Sequence, residues 1–576
     1  MPVHNADIAQ VFDEIADLLE IQEANPFRVR AYRNAARTVE NLSLDLAGAA
    51  GGGKPLPKLP GIGADLAGKI GEIAATGTCV LLERLRKEMP AGVTELLRVP
   101  GLGPKRVKAL YRDLDVKTLP QLLKAAEQGR IRELRGFGEA RETQIADAVK
   151  RRLSKAQRFK LAVAAQYAQP FADYLRGARG VDRVEIAGSY RRMRDTVGDL
   201  DILVTAKSSG AAMARFTGYP EVAETLAKGE TRASVVLRSG IQVDLRVVEP
   251  ACFGAALHYF TGSKAHNVAV RRIAQRKGLK ISEYGVFRGS RRIAGETEES
   301  VYAAVGLPWI APELREDRGE LEAAARGELP DLVEVAALKG DLHAHTKASD
   351  GHDTLRDMAL AAKVRGLSYL AITDHSPLER IAHGLDATRL SKQIAEIDRL
   401  NAELDGITLL KGAEVDVLDD GSLDLPDSIL AKLDVVVAAV HSRFDLRRAK
   451  QTARILRALD HPLVNVLAHP SGRLIEERDP YEVDMAKVVR RARERGVILE
   501  VNSQPARLDL TDVDCRMAKD EGTLVSVNSD AHSVHDFDDL RYGIGQARRG
   551  WLEARDVANT RPLKELRALL ERGRKP

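Results

Sequence analysis

Cysteine is nearly absent: Cys79, Cys252 and Cys515 are spread over 576 positions. Such spacing argues against a disulfide framework and against a cysteine zinc site, and leaves reduced thiols. No apolar run approaches the roughly 18 residues that a membrane helix needs. The N-terminal stretch carries Asp7, Asp13, Glu14 and Asp17, unlike a secretory leader. A cytoplasmic location is therefore expected. Charge of one sign is missing too, because 88 Lys and Arg face 83 Asp and Glu for a net charge of +5. A balance that small does not by itself mark a nucleic-acid partner. Collagenous and low-complexity composition is also absent.

What is present points to several cores. At 576 residues and 44% hydrophobic content, three or four domains are expected. Between positions 141 and 160 seven Lys or Arg stand against two Asp or Glu, on a stretch that reads as helix, which gives a local basic surface. Ten of the 13 histidines fall after residue 340, so the C-terminal part has its own chemistry.

The chain is organised around Gly188-Ser189-Tyr190-Arg191-Arg192 and Gly198-Asp199-Leu200-Asp201-Ile202-Leu203-Val204. Side chains two apart on a strand share a face, so Asp199 and Asp201 point the same way and repel unless a cation lies between them. Mg²⁺ is bound by one or two carboxylates together with substrate phosphates. Asp244, in the alternating stretch Ile241-Gln242-Val243-Asp244-Leu245, supplies a third acid. Three acids can hold two metals about 4 Å apart for in-line phosphoryl transfer. Asp-x-Asp alone is a common solvated strand end, but a Gly-Ser turn and Arg192 placed before it suit phosphate oxygens. In this order glycine, hydroxyl, arginine and acid pair resemble the nucleotidyltransferase palm of family X DNA polymerases, the group of DNA polymerase beta.

Upstream, Ile8, Val11, Phe12, Ile15 and Leu19 share one helical face, and a second helix is expected over residues 29–46. Three glycine hairpins follow, with Gly61 and Gly63, Gly101 and Gly103, and Gly136 and Gly138, each opening a helix. Backbone N–H groups at such a helix start can approach a phosphate, which predicts sequence-independent DNA contacts. This region resembles the lyase and fingers portion of family X polymerases through Asn25-Pro26-Phe27-Arg28-Val29-Arg30-Ala31-Tyr32-Arg33. The resemblance puts Lys69 at the Schiff-base lysine of a 5′-deoxyribose-phosphate lyase. Arg28 and Asp65 stand where the beta pattern has lysines.

Tyr259-Phe260-Thr261-Gly262-Ser263-Lys264-Ala265-His266-Asn267 and Arg271 resemble the family's nucleotide-binding thumb segment. The resemblance implies that Ser189, Arg192 and Gly198 hold the triphosphate and that Tyr259, Phe260 and Gly262 line the sugar. It also places Asn267 at the base edge and Arg271 at the template. Lys264 replaces an acid of polymerase beta. Residues 306–337, with Pro308, Pro312 and Pro330, read as a connector.

Beyond it, apolar strands separated by helices end in metal-type residues, the pattern of a parallel barrel with ligands at its C-terminal strand ends. The set resembles the PHP (polymerase and histidinol phosphatase) family, a distorted (β/α)₇ barrel with three metals. Carried over, its ligands are His343, His345, Asp350, His375, Glu414, His441, His469, Asp530 and His532, with Glu414 bridging two ions. Mixed imidazole and carboxylate ligation suits Mn²⁺ or Zn²⁺.

The expected fold is multidomain α/β. Its expected parts are a helical lyase-like domain (1–80), fingers with helix-hairpin-helix motifs (81–157), a palm (158–255), a thumb (256–315), a linker (316–336) and a PHP phosphoesterase barrel (337–576). The resemblance implies a monomeric gap-filling repair polymerase acting on gapped or nicked DNA with a 5′-phosphate. It would use dNTPs with Mg²⁺ or Mn²⁺, and its barrel would be a 3′–5′ exonuclease. A polymerase with a structural barrel and a template-independent nucleotidyltransferase are the alternatives.

Overall fold

The computed structural model describes residues 3–40, 42, 46, 59, 61–99, 102–154 and 158–573. The chain divides into two compact units. One comprises Met1–Phe159 with Tyr219–Glu224 and Val236–Ile241, and the other takes the remainder. No helix among the described residues is long and apolar enough to cross a membrane.

The first unit is helical. Helix α1 (Asn5–Ile21) buries Ile8, Val11, Phe12, Ile15 and Leu19, the face that the 3.6-residue period predicts. Helix α2 (Pro26–Glu40) starts on a proline, whose missing N–H costs nothing at that position, and packs Tyr32 edge-on against Phe12. It covers residues up to Glu40 of the expected 29–46; residues 41 and 43–45 lie outside the described residues. Helices α3 (Ala64–Thr76), α4 (Val80–Glu88), α5 (Pro104–Leu114), α6 (Leu119–Glu127) and α7 (Glu139–Ser154) follow.

The next elements along the chain are helix α8 (Leu161–Arg176) and a five-stranded sheet: β1 (Val181–Ile186), β2 (Asp199–Ala206), β3 (Val222–Lys228), β4 (Arg232–Leu237) and β5 (Gln242–Val248). Its order is β1-β2-β5-β4-β3, with β2 antiparallel to β1 and parallel to β5. The short helix α9 (Gly188–Arg191) fills the turn between β1 and β2. Helices α10 (Phe253–Thr261), α11 (Lys264–Arg276) and α12 (Glu298–Ala304) form the next part, with a small three-stranded sheet between residues 280 and 294.

The stretch expected to connect the two catalytic regions is packed rather than loose. It carries helix α13 (Glu320–Arg326), and Leu307, Ile310, Leu314 and Leu321 share a core with Val270, Tyr302 and Trp551. Seven parallel strands then succeed one another: β6 (Gly340–Asp341), β7 (Tyr369–Ile372), β8 (Thr408–Asp416), β9 (Val435–Ala439), β10 (Val466–Leu467), β11 (Ile498–Asn502) and β12 (Val525–Asn528). A parallel bridge between Ala344 and Ala531, with the His345 N–H donating to the Ala531 carbonyl at 2.8 Å, brings the last strand back to the first. The barrel is thereby nearly closed. Every residue of β9 is buried, as expected for strands covered on both sides. Two outer helices enter the arguments below, α14 (Asp512–Glu521) and α15 (Leu540–Arg549).

Close approach fixes one glycine here. A Cβ on Gly254 would lie 2.0 Å from the Thr297 carbonyl carbon, where α10 crosses the start of α12. Gly254→Ala should therefore destabilise this packing by about 1–3 kcal/mol. The loss should show as a lower urea midpoint in the fluorescence of Trp309 and Trp551, the chain's two tryptophans.

Candidate functional site

Parallel pairing of β2 with β5 sets Asp201 directly beside Asp244, and Asp199 lies two residues back on the same face. Leu200 between them is buried and anchors the strand end. The Ser234 hydroxyl donates to Asp244 Oδ1, and Gln242 Nε2 donates to Oδ2 at 3.1 Å. Gly188 adopts φ +65°, and a Cβ there would lie 2.5 Å from Asp201 Oδ2, so only glycine lets the turn approach the acid. Burial, then the charges of Asp199 and Asp244, push the Asp201 carboxyl up to about 7. Carboxylates converging on one face of adjacent strands fit a divalent cation.

Two neighbouring arginines behave differently. Arg191 Nη1 donates to Thr261 Oγ1 at 2.7 Å and to Glu298 Oε1 at 2.8 Å, and Nη2 donates to Glu298 Oε2 at 2.8 Å. Arg192 donates through Nε to Glu316 Oε1 at 3.1 Å and through Nη1 to the Thr261 carbonyl. Gly262, at φ +71°, leaves room for this; a Cβ would lie 3.1 Å from Arg192 Nη1. Ser189 sits on α9 beside Gly188, and Gly198 immediately precedes β2. Tyr259 and Phe260 meet edge-to-face at 5.1 Å, and the Arg246 guanidinium lies 5.0 Å from the Phe260 ring centre. Asn267 donates Nδ2 to the Tyr259 carbonyl at 2.7 Å, while its buried Oδ1 has no hydrogen-bond partner. Arg271 Nε donates to the Asn267 carbonyl at 3.2 Å. Lys264 is exposed at the start of α11.

In the first unit, α3, α5 and α7 each begin one residue after Gly63, Gly103 and Gly138. Gly61 (φ +61°) and Gly136 (φ +90°) use left-handed backbone, and a Cβ at Gly61, Gly63, Gly103, Gly136 or Gly138 would meet nothing within 4 Å. The helix starts are thus open to a backbone-sized ligand. Gly101 lies outside the described residues. Lys69 pairs with Asp65 one turn away; burial works against its charge, but Asp65 and Tyr32 outweigh it and raise the ammonium above its ordinary value.

The barrel gathers all nine expected residues at its C-terminal strand ends. Glu414 on β8 is 1% exposed and faces five imidazoles. Oε1 lies 3.0 Å from His469 Nε2 and 3.2 Å from His441 Nε2, and Oε2 lies 2.9, 3.4 and 3.6 Å from His375 Nδ1, His343 Nε2 and His345 Nε2. Asp530 Oδ1 is 3.1 Å from His345 Nε2. Asp350 Oδ2 is 3.4 Å from His532 Nε2 and 3.5 Å from His375 Nε2.

The donor set passes a direct test for metal. His343 Nε2 and His345, His375 and His469 Nδ1 are buried yet make no hydrogen bond, although His375 Nδ1 is only 2.9 Å from Glu414. Separations near 3 Å without hydrogen-bond alignment are those of ligands sharing one ion, given metal–ligand bonds of about 2.0–2.2 Å. Ligand atoms fall into sets of His345, Asp350, His375 and His532; His343, His345 and Asp530; and His375, Glu414 and His441.

Three further acids support these ligands, and sequence reasoning missed them. Glu500 Oε1 accepts from His343 Nδ1 at 2.7 Å, and its Oε2 accepts the His469 N–H at 2.8 Å. Asp416 faces His441 Nδ1 at 3.1 Å, and Glu379 joins both in a fourth group. Partners of this kind fix ring orientation and tautomer. A carboxylate flanked by Ile498, Leu499 and Val501 within β11 was the available signal for Glu500. Burial opposes charge throughout and wins at His345 and His469, whose imidazoles are lowered, but at other groups mutual attraction prevails: Glu414 is held well below the usual carboxylate range, and Glu414 and Asp416 raise His441 to about 9. His532 is raised to about 9 by Asp350.

A cluster of acids and imidazoles at the C-terminal strand ends of a parallel barrel, on one chain with a palm carrying three acids, defines a metal-dependent phosphoesterase joined to a nucleotidyltransferase. Four stretches of the chain match known families. Residues 3–79 match a helix-hairpin-helix domain, 93–151 a SAM-like helix-hairpin-helix tandem, 256–316 the DNA polymerase beta thumb and 341–504 the PHP domain. The chain is 38% identical to the DNA polymerase/3'-5' exonuclease PolX of Bacillus subtilis (strain 168), over 99% of this chain and all of that one. It is also 32% identical to a probable phosphatase of Thermoanaerobacter sp. (strain X514), over 34% of this chain and 80% of that one. The chain belongs to the PolX family, bacterial family X DNA polymerases with a C-terminal PHP domain.

Two outcomes follow for the metal-free protein. The raised Asp201 carboxyl is neutral at pH 5 and charged at pH 8, so its contribution to stability is present at low pH and lost as pH rises through about 7. Asp201→Asn should therefore raise the melting temperature by more at pH 8 than at pH 5, because the loss begins just above the ordinary carboxyl value of 3.8 and is complete only above about 7. In the barrel, protonated His441 and His532 must lose protons to ligate, so calorimetric Mn²⁺ affinity should keep rising from pH 7 towards 9, with proton release.

Proposed function

We propose that this protein is a DNA-directed DNA polymerase that fills short gaps in base excision repair and trims 3′ ends with its barrel. The observation that carries the reading is the register of Asp201 beside Asp244 on parallel strands, with Gly188 pressed against Asp201. Asp199, Asp201 and Asp244 hold Mg²⁺ or Mn²⁺. Asp244, braced by Ser234 and Gln242, orients towards the primer 3′-hydroxyl, while Ser189, Arg192 and Gly198 receive the triphosphate. The edge-to-face Tyr259 and Phe260 with Gly262 support the sugar, and the unpartnered Asn267 Oδ1 suits a donor on the base edge. Arg271 serves the template strand.

His343, His345, Asp350, His375, Glu414, His441, His469, Asp530 and His532 would hold up to three Mn²⁺ or Zn²⁺ ions, Glu414 facing imidazoles through both of its oxygens. Ions bound there supply a water of lowered pKa and a clamp on phosphodiester oxygens. Glu500 and Asp416 keep His343 and His441 in the ligating orientation. Named relatives include both a 3'-5' exonuclease and a probable phosphatase, and both break phosphate esters.

DNA is held by the open helix starts at Gly61 and Gly63, Gly103, and Gly136 and Gly138, through backbone N–H groups and without reading bases. Gapped or nicked DNA with a 5′-phosphate, dNTPs and a monomeric enzyme complete the proposal. Lys69 stays with phosphate: an imine needs a depressed amine, and this ammonium is raised and tied to Asp65.

The test uses a 5′-labelled primer in a single-nucleotide gap with Mn²⁺, with and without dNTPs. Extension should require both dNTP and template and fall by at least about a hundredfold in Asp244→Ala. Shortening without dNTPs should disappear in His343→Ala. Extension by Asp244→Ala would overturn the polymerase site, template-independent addition would favour a different nucleotidyltransferase, and the absence of shortening would make the barrel structural.

A further inference from the structure

Within the second unit runs a string of five alternating charges: Arg192, Glu316, Arg549, Asp512 and Arg318. Glu316 Oε1 accepts from Arg192 Nε at 3.1 Å and from Arg549 Nη1 at 2.9 Å. Arg549 Nη1 also donates to the Arg192 carbonyl at 2.8 Å, and its Nη2 donates to Asp512 Oδ2 at 2.5 Å. Arg318 Nη1 closes the string on Asp512 Oδ2 at 3.1 Å. The Arg549 side chain is 1% exposed, and those of Arg192, Glu316 and Asp512 are each 13% exposed. One guanidinium from barrel helix α15 thus fixes both the backbone of Arg192 and the carboxylate that holds its Nε.

We infer that Arg549 is a positioning residue of the polymerase site: through Glu316 and the Arg192 carbonyl it aims the Arg192 guanidinium at the triphosphate of the incoming nucleotide. The inference rests on the assignment of Arg192 to the triphosphate made above.

Three features separate this from ordinary ionic packing. First, Arg192 keeps Nη2 without a partner among the described residues, whereas Arg191 spends both terminal nitrogens on Thr261 and Glu298. A guanidinium held along one edge presents its other edge in a fixed direction, which is what bidentate phosphate recognition requires. Second, Glu316, Arg549, Asp512 and Arg318 are neutral as a set, so the brace stays balanced when Arg192 turns its charge to phosphate. Third, α15 is seated closely on both sides. A Cβ at Gly543 would lie 2.0 Å from Ser503 Oγ beyond β11, and one at Gly545 would lie 2.7 Å from Met193 Cε, beside Arg192. Both glycines bring the helix to backbone distance of what it supports.

The test uses the full-length protein on a single-nucleotide gap, measuring the nucleotide KM, kcat and the Ki of inorganic triphosphate. Degradation of a 5′-labelled single strand reports that the barrel is folded. Arg549→Met should raise both the nucleotide KM and the triphosphate Ki about tenfold with kcat within about twofold, a size typical of coupled neighbours. Added to Arg192→Ala, Arg549→Met should change neither constant further, because its effect passes through Arg192. Glu316→Gln, which keeps shape and one acceptor, should move both constants in the same direction and decides the matter if Arg549→Met loses strand degradation. The inference is overturned if the constants are unchanged in Glu316→Gln and in folded Arg549→Met, or if the Arg549→Met effect survives undiminished in Arg192→Ala. An Arg192→Ala enzyme that fills gaps with an unaltered nucleotide KM would overturn it at the earlier step, by removing Arg192 from the triphosphate.

Discussion

Carboxylates held together against their own repulsion are the constraint on which both halves of the second unit depend. In the palm the repulsion is imposed by backbone register: parallel pairing of β2 and β5 leaves Asp201 and Asp244 no freedom to part. In the barrel it is imposed by topology, because successive parallel strands deliver their C-terminal residues to one rim. Hydrophobic burial supplies the force in each case. Leu200, Val243 and Leu245 anchor the palm strands, and Val435, Val437, Val466 and Leu499 anchor the barrel strands.

The same constraint explains why the two parts are packed through the connector instead of strung apart. Arg192 lies within the field of the palm acids, and burial disfavours its charge; Glu316 counters this, and Glu316 in turn is held by Arg549. A buried carboxylate with a single partner is costly, while Glu316, between two guanidinia, is held below its ordinary pKa despite its burial. The connector therefore carries chemistry, with Glu316 and Glu320 at its start, and its apolar residues share a core with Trp551 of the barrel.

Elements with strong local signals were legible in the sequence. The face of α1 follows from period 3.6, the hairpin glycines do open helices α3, α5 and α7, and alternating strands and histidines announce a parallel barrel. Most of the barrel residues assemble because they stand at or just past a strand end, a position readable from where an apolar run stops, while Asp350 reaches the cluster from a turn beyond the first strand. What could not be read was pairing across the fold. Nothing local to Glu500 says that it will meet His343, and nothing near Arg549 says that it will meet the Arg192 carbonyl 357 positions away. Residues 306–337 looked like a linker because proline and glutamate are frequent there, and composition does not reveal that Glu320 is fully buried against His266.

The two centres differ in how complete they are without substrate. In the barrel, imidazoles already face every carboxylate, and acids such as Glu500 and Asp416 orient the rings from behind. Nine protein side chains can hold clustered ions of the Mn²⁺ or Zn²⁺ type and still leave positions for water, so on the proposed reading these ions belong to the resting protein. The palm offers three acids and no imidazole, Asp244 is already engaged by Ser234 and Gln242, and Asp201 is pushed towards neutrality. A hard cation there lacks most of its oxygen ligands until phosphates arrive. Occupancy of the palm is thus tied to the nucleotide, while occupancy of the barrel is not. One protein can then keep a standing hydrolytic centre beside a synthetic one that assembles only when there is something to add.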